Sequence, residues 1–238
     1  MLNNRLLFST ARRSTRGGFT LVELLVVIGI IAILASVALG PIMGGIEKAK
    51  ESSGMQTARS INLLLFSYSN DNNQTYPPGG SAGVTLTPPP TDVGTSEGIA
   101  IQLLQGGYAT DPTIFAIGST QKYTGAGAPY ADFAKTNISF DFTGGAAATA
   151  GITSSASDLL PLVYCTGETV AYPPTANAGL NLTLSGNGPF KFNGIAVGYK
   201  SNSAVFMKGI QNAAASAVVN GFISTSCSDV GPYTQIKP

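Results

Sequence analysis

The N-terminal quarter of the chain carries the strongest hydrophobic pattern. Leu24–Met43 is an apolar run of 20 residues without a formal charge, which is the length that an α-helix needs to cross the hydrocarbon core of a bilayer. Beyond Pro41 the pattern becomes one-sided, with apolar residues at spacings of three, four or their multiples. These residues are Ile46, Ala49, Ala58, Ile61, Leu64, Leu65 and Tyr68. We therefore predict one helix from about Thr20 to Asn70, which spans a membrane with its first half and packs on a head with its second.

The rest of the chain has shorter elements. Residues 71–95 are rich in Pro, Gly, Asn and Thr and predict a long loop, and Ser96–Gln105 predicts a short helix that Gly106-Gly107 ends. Short apolar or alternating runs then predict strands, with a hairpin turn at Asn202-Ser203. The runs are Ile138–Phe142, Leu159–Cys165, Leu180–Leu184, Ile195–Tyr199, Ala204–Met207 and Val218–Ser224. The pattern predicts an α+β fold in which a long helix packs against a mainly antiparallel β-sheet head.

The residues just before the apolar run carry the most specific chemistry. A leader with Arg5, Arg12, Arg13 and Arg16 and no acid precedes Gly17-Gly18-Phe19-Thr20-Leu21-Val22-Glu23. Glu23 lies almost inside the apolar run, where an ionised side chain is costly and is a functional candidate by default. A secretory signal has its small-residue cleavage site after the apolar core, whereas this Gly-Gly pair comes before it. A cut after Gly18 would leave the apolar segment as the mature N-terminus.

This arrangement closely resembles the N-terminal segment of type IV prepilins and type II secretion pseudopilins. Gly18 corresponds to the residue before the cut, Phe19 to the new N-terminus and Glu23 to the carboxylate four residues on, and Leu24–Leu39 continues the match over about residues 16–70. Family members usually carry a helix proline one position earlier than Pro41, where this chain has Gly40. The resemblance implies a pilin-like fold, cleavage by a prepilin peptidase, N-methylation of Phe19 and polymerisation by an inner-membrane assembly platform with its ATPase machinery.

The same resemblance sets the expected organisation of the chain. Residues 1–18 are a leader that is removed, 19–45 are the transmembrane and filament-core half of the helix, 46–72 are its amphipathic half, and 73–238 form the β-rich head. The leader arginines favour a cytoplasmic N-terminus. The expected location is a single pass through the inner membrane, followed by a periplasmic or cell-surface filament that is a homo-oligomer.

Glu23 and Phe19 form the expected assembly pair. After cleavage, the amine of Phe19 is a cation at the start of a helix in lipid, and pairing with a carboxylate offsets part of the cost of burying both charges. The pair can form within one chain, one turn apart. It can also join Glu23 to the Phe19 amine of a neighbour, which would fix the axial register as the family is thought to do. A carboxylate that simply reaches the membrane surface is the plainer alternative.

Composition narrows the possible partners. Four of the 13 basic residues lie in the leader, which leaves 9 basic and 12 acidic residues in the mature chain, so a broad basic nucleic-acid surface is not expected. Charged residues make up 11% of the chain, against roughly 25% in ordinary soluble domains. Such a surface repels its own copies weakly and suits close packing of subunits, although a bland secreted surface would look the same.

The cysteines predict one disulfide. Cys165 and Cys227 are the two cysteines of the chain, and export would place both in an oxidising compartment. One intramolecular pairing is possible. Two separate buried thiols are the alternative.

Catalytic and metal sites are not expected. The chain has no histidine, which removes the usual general base and the commonest metal ligand. Ser119-Thr120-Gln121-Lys122 fits S-x-x-K, but Lys135-Thr136-Asn137 is not the K-T-G that should accompany it. Major pseudopilins of type II secretion bind calcium in a C-terminal loop, whereas Asp229 is the one acid after Glu168 here.

Three functional classes follow. The sequence favours a structural filament subunit that uses no enzyme chemistry, cofactor or metal. A membrane-tethered exported binding module that does not polymerise is the second class, and an exported hydrolase is the third and weakest.

Overall fold

The computed structural model describes residues 18–78, 95–118, 120–125, 130, 132–145, 151–165, 167–172, 179–213, 215–227 and 233–237. Helix α1 covers Leu21–Asp71 and helix α2 covers Ser96–Gln105, with short 3₁₀ turns at Pro112–Phe115 and Lys135–Asn137. Strands follow in two antiparallel sheets. The α+β prediction is confirmed, and the predicted bounds of both helices are met to within one residue.

The chain divides into two compact units at Ile46/Glu47. In the first unit, all helical residues from Leu21 to Ile46 are exposed. Within the described residues, α1 is the one helix long and apolar enough to cross a membrane by its length and composition. An exposed apolar surface of this length is stable only in lipid or against other apolar surfaces.

The second unit holds the amphipathic half of α1. Its buried residues are Gly54, Ala58, Ile61, Asn62, Leu65, Tyr68 and Ser69, so the predicted apolar stripe is confirmed from Ala58 to Tyr68. The prediction is wrong for Ile46 and Ala49, which are exposed. The first buried residue of α1 is Gly54, which lies against the ring of Phe190.

The head contains a five-stranded sheet and a three-stranded sheet. Its strands are β1 Asp141–Gly144, β2 Pro161–Tyr164, β3 Leu180–Leu184, β4 Gly194–Tyr199, β5 Ala204–Lys208, β6 Ile210–Ala213, β7 Ser216–Ile223 and β8 Thr234–Ile236. The strand orders are β5-β4-β2-β1-β8 and β3-β7-β6. The predicted hairpin is present between β4 and β5, where Asn202 adopts φ 60° and the Tyr199 N–H donates to the Ser203 carbonyl at 2.8 Å.

Three details of the head differ from the sequence-based prediction. The first strand begins at Asp141 and not at Ile138, because Ile138 caps the preceding 3₁₀ turn through its N–H to the Lys135 carbonyl. The sequence pattern also missed β6, a short strand at the edge of its sheet, and the three-residue β8. In the predicted long loop, Thr75 forms a bridge with Thr153, and residues 79–94 lie outside the described part of the chain.

Two core clusters lie on opposite faces of the five-stranded sheet. Along β4, Ile195 and Val197 belong to one cluster and Ala196 to the other, as the alternation of side chains along a strand requires. The helix-side cluster contains Ala58, Ile61, Leu65 and Tyr68 of α1. The inter-sheet cluster contains Leu182 and Leu184 of β3 together with Val219 and Phe222 of β7. The five-stranded sheet is therefore the middle layer of the head.

Candidate functional site

The predicted cleavage junction is exposed and lies outside the helix. Gly18, Phe19 and Thr20 precede α1, which begins at Leu21. Phe19 is 78% exposed, and a β-carbon on Gly18 would meet no atom within 4 Å. A peptidase needs a bond whose backbone is not locked in helical hydrogen bonds, and the Gly18–Phe19 bond meets that condition. The four leader arginines lie outside the described residues.

Thr20 and Glu23 form a reciprocal cap at the start of α1. The Thr20 backbone N–H donates to Oε2 of Glu23 at 2.8 Å, and the Glu23 backbone N–H donates to Oγ1 of Thr20 at 3.2 Å. The Thr20 hydroxyl also donates to the same carboxylate oxygen at 2.8 Å. This is the capping box, in which two N–H groups that lack helical partners are satisfied by side chains.

The capping box gives Glu23 a structural role that the sequence analysis missed. The signal was present, because Thr20-Leu21-Val22-Glu23 fits the S/T-x-x-E pattern that marks helix starts. A negative side chain at this position is also favoured by the helix dipole. In a lipid environment an unsatisfied backbone N–H is particularly costly, so the cap helps the apolar helix to start where it does.

The cap holds the carboxylate of Glu23 against the residue that follows the Gly18–Phe19 junction. The carboxylate of Glu23 bonds to the N–H of Thr20, the residue directly after Phe19. An amine created at Phe19 by cleavage would therefore be one residue away from the group that the carboxylate already contacts. The segment can supply a peptidase substrate, a new cationic N-terminus and an adjacent anion.

Cys165 and Cys227 are both free thiols in the structure, and both are buried. The structure thus has the arrangement of two buried thiols, and pairing of the two after export stays a prediction. Cys165 belongs to the helix-side cluster and Cys227 to the inter-sheet cluster, so the five-stranded sheet separates the two. The Cys165 thiol donates instead to the Ala196 carbonyl at 3.6 Å, and burial raises its pKa to about 12. A thiol with so high a pKa is a poor nucleophile at neutral pH.

One cleft of the head has a volume of about 330 Å³ and is lined in part by Thr120, Ser139, Asp141 and Lys237. Its groups serve in structural hydrogen bonds. Ser139 Oγ donates to Thr120 Oγ1 at 2.6 Å, Lys237 Nζ donates to Thr169 Oγ1 at 2.8 Å, and Asp141 accepts from Gln235 Nε2 at 3.2 Å.

Two other candidates from the sequence fall partly or wholly outside the described residues. Ser119 of the S-x-x-K pattern is not described, and its Lys122 is exposed. Asp229, the acid considered for calcium, is also outside the described part. Among the described residues, no group of three or more Cys, Asp or Glu is placed to hold a metal ion.

Comparison with known proteins identifies the N-terminal segment. Residues 13–39 match the family described as the prokaryotic N-terminal methylation motif. No curated protein and no solved structure matches the chain. The matched residues contain the exposed Gly18–Phe19 junction, the Thr20–Glu23 cap and most of the apolar run. The chain therefore carries the N-terminal methylation motif that is the signature of type IV pilins and pseudopilins.

Proposed function

We propose that the chain is the precursor of a subunit of a pilin-like filament, cleaved after Gly18, N-methylated at Phe19 and polymerised from the inner membrane. The observation that carries this proposal is the capped, exposed apolar half of α1 that directly follows an exposed Gly–Phe junction. The pilin-motif family is structural and not enzymatic. The proposed partners are a prepilin peptidase, an inner-membrane assembly platform with its ATPase machinery, and further copies of the chain.

The apolar half of α1 is suited to two successive environments, lipid first and the helices of other subunits afterwards. Large apolar side chains are exposed on every side of it, including Ile30 at 53%, Leu34 at 65% and Val37 at 74%. Lipid would cover all of these side chains before assembly, and the same surface would pack against the helices of other subunits afterwards. A helix that served only to tether a head would need only the first environment.

The mature N-terminus supplies the proposed contact between subunits. The Thr20–Glu23 cap fixes the carboxylate at the start of α1, close to the amine that cleavage creates. In the filament the carboxylate would meet the Phe19 amine of a neighbouring subunit, which would offset part of the desolvation cost of both charges. The membrane-tethered binding module remains the second candidate, and the cleft of about 330 Å³ is where its head would hold a ligand.

An N-terminal mass measurement tests the proposal. The protein purified from membranes should begin at a methylated Phe19, and Gly18→Leu should leave the precursor uncut, because the added side chain occupies the position before the scissile bond. Gly29→Leu is the matched control, since it adds the same side chain in open space within the helix and should be cut normally. Normal cutting of Gly18→Leu would contradict the proposal. The filament step is tested by electron microscopy of material sheared from cells, in which the protein should be the repeating subunit.

A further inference from the structure

A second cleft of the head, of about 370 Å³, lies between residues 47–51 of α1 and the loop 189–193. Two of its lining residues are the exposed Lys50 and Lys191. Two further lysines lie beside it. Lys48 forms an ion pair with Glu51 at 2.6 Å, and Lys208 of β5 lies close enough to Lys48 to influence its pKa, which the hydrogen bond to Glu51 raises.

The charge around this cleft is opposite to that of the mature chain. The lining itself holds two lysines and two acids, Glu47 and Glu51. Glu51 is already paired with Lys48, which lies outside the lining, and Lys208 adds a further positive charge nearby. No acid occurs between Glu168 and Asp229, so the loop and the strands that follow it add only positive charge. The mature chain as a whole has more acidic than basic residues. The cleft is therefore a local basic site in a weakly acidic protein, which favours an anionic occupant.

The loop is held in a shape that presents Lys191 to solvent. The ring of Phe190 packs against Gly54 of α1, where a β-carbon would overlap it, and stacks edge-on against Phe206 at 5.1 Å between ring centres. The Lys191 N–H donates to the Gly188 carbonyl at 3.0 Å. Lys191 has φ 53°, a left-handed conformation that an L-residue other than Gly or Asn adopts at a cost.

The position of the cleft along the chain indicates what the anionic occupant is. Glu47 comes four residues after Met43, the end of the uncharged run, and four residues reach at most about 14 Å even when fully extended. The headgroup layer on each side of a bilayer is roughly 5–7 Å thick, and charges act over about 8 Å at physiological salt. A subunit anchored through Leu24–Met43 thus has this basic cleft within reach of lipid phosphates.

We propose that the cleft between residues 47–51 and loop 189–193 binds the headgroups of anionic phospholipids while the subunit is held in the membrane. This inference rests on the membrane-held stage of the proposed function. Lys50 and Lys191 contact the lipid phosphate, and the half-buried ring of Phe190 holds their loop against α1. The contact holds the head against the bilayer until the subunit is withdrawn into the filament.

A single tryptophan reporter tests the contact in the full-length protein, because the chain has no tryptophan. Asn193→Trp places the reporter at an exposed residue that lines the cleft. Asn70→Trp is the matched control, because it replaces the same residue type at an exposed position 19 residues after Glu51 and thus about 29 Å further along the helix. Each protein is reconstituted into phosphatidylcholine vesicles, with or without phosphatidylglycerol, that contain a lipid carrying a nitroxide on its headgroup.

Quenching of Asn193→Trp should at least double when phosphatidylglycerol is present, whereas quenching of Asn70→Trp should not change. High salt should remove the difference. Lys50→Gln combined with Lys191→Asn should also remove it, and asparagine tolerates the left-handed backbone at 191. Lys122→Gln combined with Lys135→Gln removes the same charge from exposed positions elsewhere and should leave the difference intact.

Equal quenching of Asn193→Trp in both kinds of vesicle would overturn the inference, and so would a difference that survives loss of Lys50 and Lys191. Quenching that rises with protein density but not with phosphatidylglycerol would assign the cleft to a second copy of the chain, and would overturn it as well. Cleavage at Gly18 is scored separately on the same preparations. An uncut protein that still responds to phosphatidylglycerol would count against the proposed function alone.

Discussion

Gly198 of β4 lies directly against the backbone of Ala58 in α1: a β-carbon on Gly198 would be 3.1 Å from the Ala58 carbonyl oxygen and 2.8 Å from Cγ1 of Val163. The neighbouring strand residue makes a polar contact to the same helix, because Asn62 Nδ2 donates to the Tyr199 carbonyl at 2.5 Å. The missing side chain at 198 thus allows the five-stranded sheet to approach α1 closely enough for this hydrogen bond.

Gly198→Ala should therefore destabilise the head. The extra methyl group meets a backbone oxygen that cannot move alone and a fully buried Val163, and overpacking of this kind typically costs about 1–3 kcal/mol. Urea unfolding followed by circular dichroism measures the change. Gly45→Ala, where a β-carbon meets no atom within 4 Å, is the control and should leave the unfolding of the head unchanged. A Gly198→Ala protein as stable as the wild type would show that sheet and helix leave room for a methyl group at position 198.

Gln235 connects the C-terminal strand β8 to the rest of the head. Its Nε2 donates to the Glu168 carbonyl at 2.8 Å and to Asp141 at 3.2 Å, and its Oε1 accepts from the Val170 N–H at 2.7 Å. Gln235→Leu removes all three bonds and should lower the free energy of unfolding by about 1–3 kcal/mol. Amide hydrogen exchange should show the largest loss of protection in β8 and at Val170. Gln211→Leu at an exposed residue of β6 is the control, and an equal effect there would contradict this role of Gln235.

The sequence predicted much of the fold because its strongest hydrophobic patterns extend over many residues. The helix needed only a 20-residue apolar run and a repeated stripe, and the capped Ser96–Gln105 helix had a polar start and a Gly-Gly stop. The short strands β6 and β8 were missed because Ile210–Ala213 and Thr234–Ile236 hold too few apolar residues to be distinguished from loop. Their pairing depends on contacts distant in sequence, such as Phe142 with Ile236. Similarly, the separation of Cys165 from Cys227 by a sheet is a tertiary fact that the cysteine count cannot supply.

The two cysteines should both react as thiols once the protein is unfolded. Each is buried on a different side of the five-stranded sheet, so neither is placed to meet the other. Alkylation of the exported protein in denaturant without reductant should modify both cysteines, whereas the folded protein should react slowly. Mass spectrometry of the peptides counts the modified thiols. A linked Cys165–Cys227 peptide that is present without reductant and disappears on reduction would instead restore the disulfide that the sequence suggested.

The head should lose stability in alkaline solution. Burial raises the pKa of Cys165 from 9.0 to about 12 and raises the pKa values of Tyr164 and Tyr172 as well. Above about pH 9 the unfolded chain releases protons that the folded head retains. The contribution of these buried protonated groups to the free energy of unfolding is therefore complete below that pH and decreases as the pH rises towards 12. Urea unfolding at increasing pH should show this fall. The free energy of unfolding of Cys165→Ala should fall less steeply with pH. A fall as steep as in the wild type would show that the Cys165 thiol does not contribute to it.

The final prediction separates the two roles of Glu23. As part of the cap, its side chain accepts a hydrogen bond from the Thr20 N–H at 2.8 Å, and glutamine serves the capping box nearly as well as glutamate. As the partner of a neighbour's Phe19 amine, it must be charged. Glu23→Gln therefore retains the cap and removes the charge, whereas Glu23→Leu removes both. Cleavage after Gly18 and membrane insertion should persist in both variants, because neither changes the junction and both keep the apolar run.

Filament yield then discriminates between the roles. Loss of a cap costs about 0.5–2 kcal/mol once per chain, whereas breaking a buried charge pair costs roughly 3–5 kcal/mol at every contact along the polymer. We expect sheared filaments to be lost in Glu23→Gln as fully as in Glu23→Leu. Thr20→Val is the complementary variant, since it removes the hydroxyl contacts but keeps the carboxylate, and it should assemble at a reduced level. Full assembly of Glu23→Gln beside a defective Glu23→Leu would show that helix capping, and not charge pairing, is what assembly requires of Glu23.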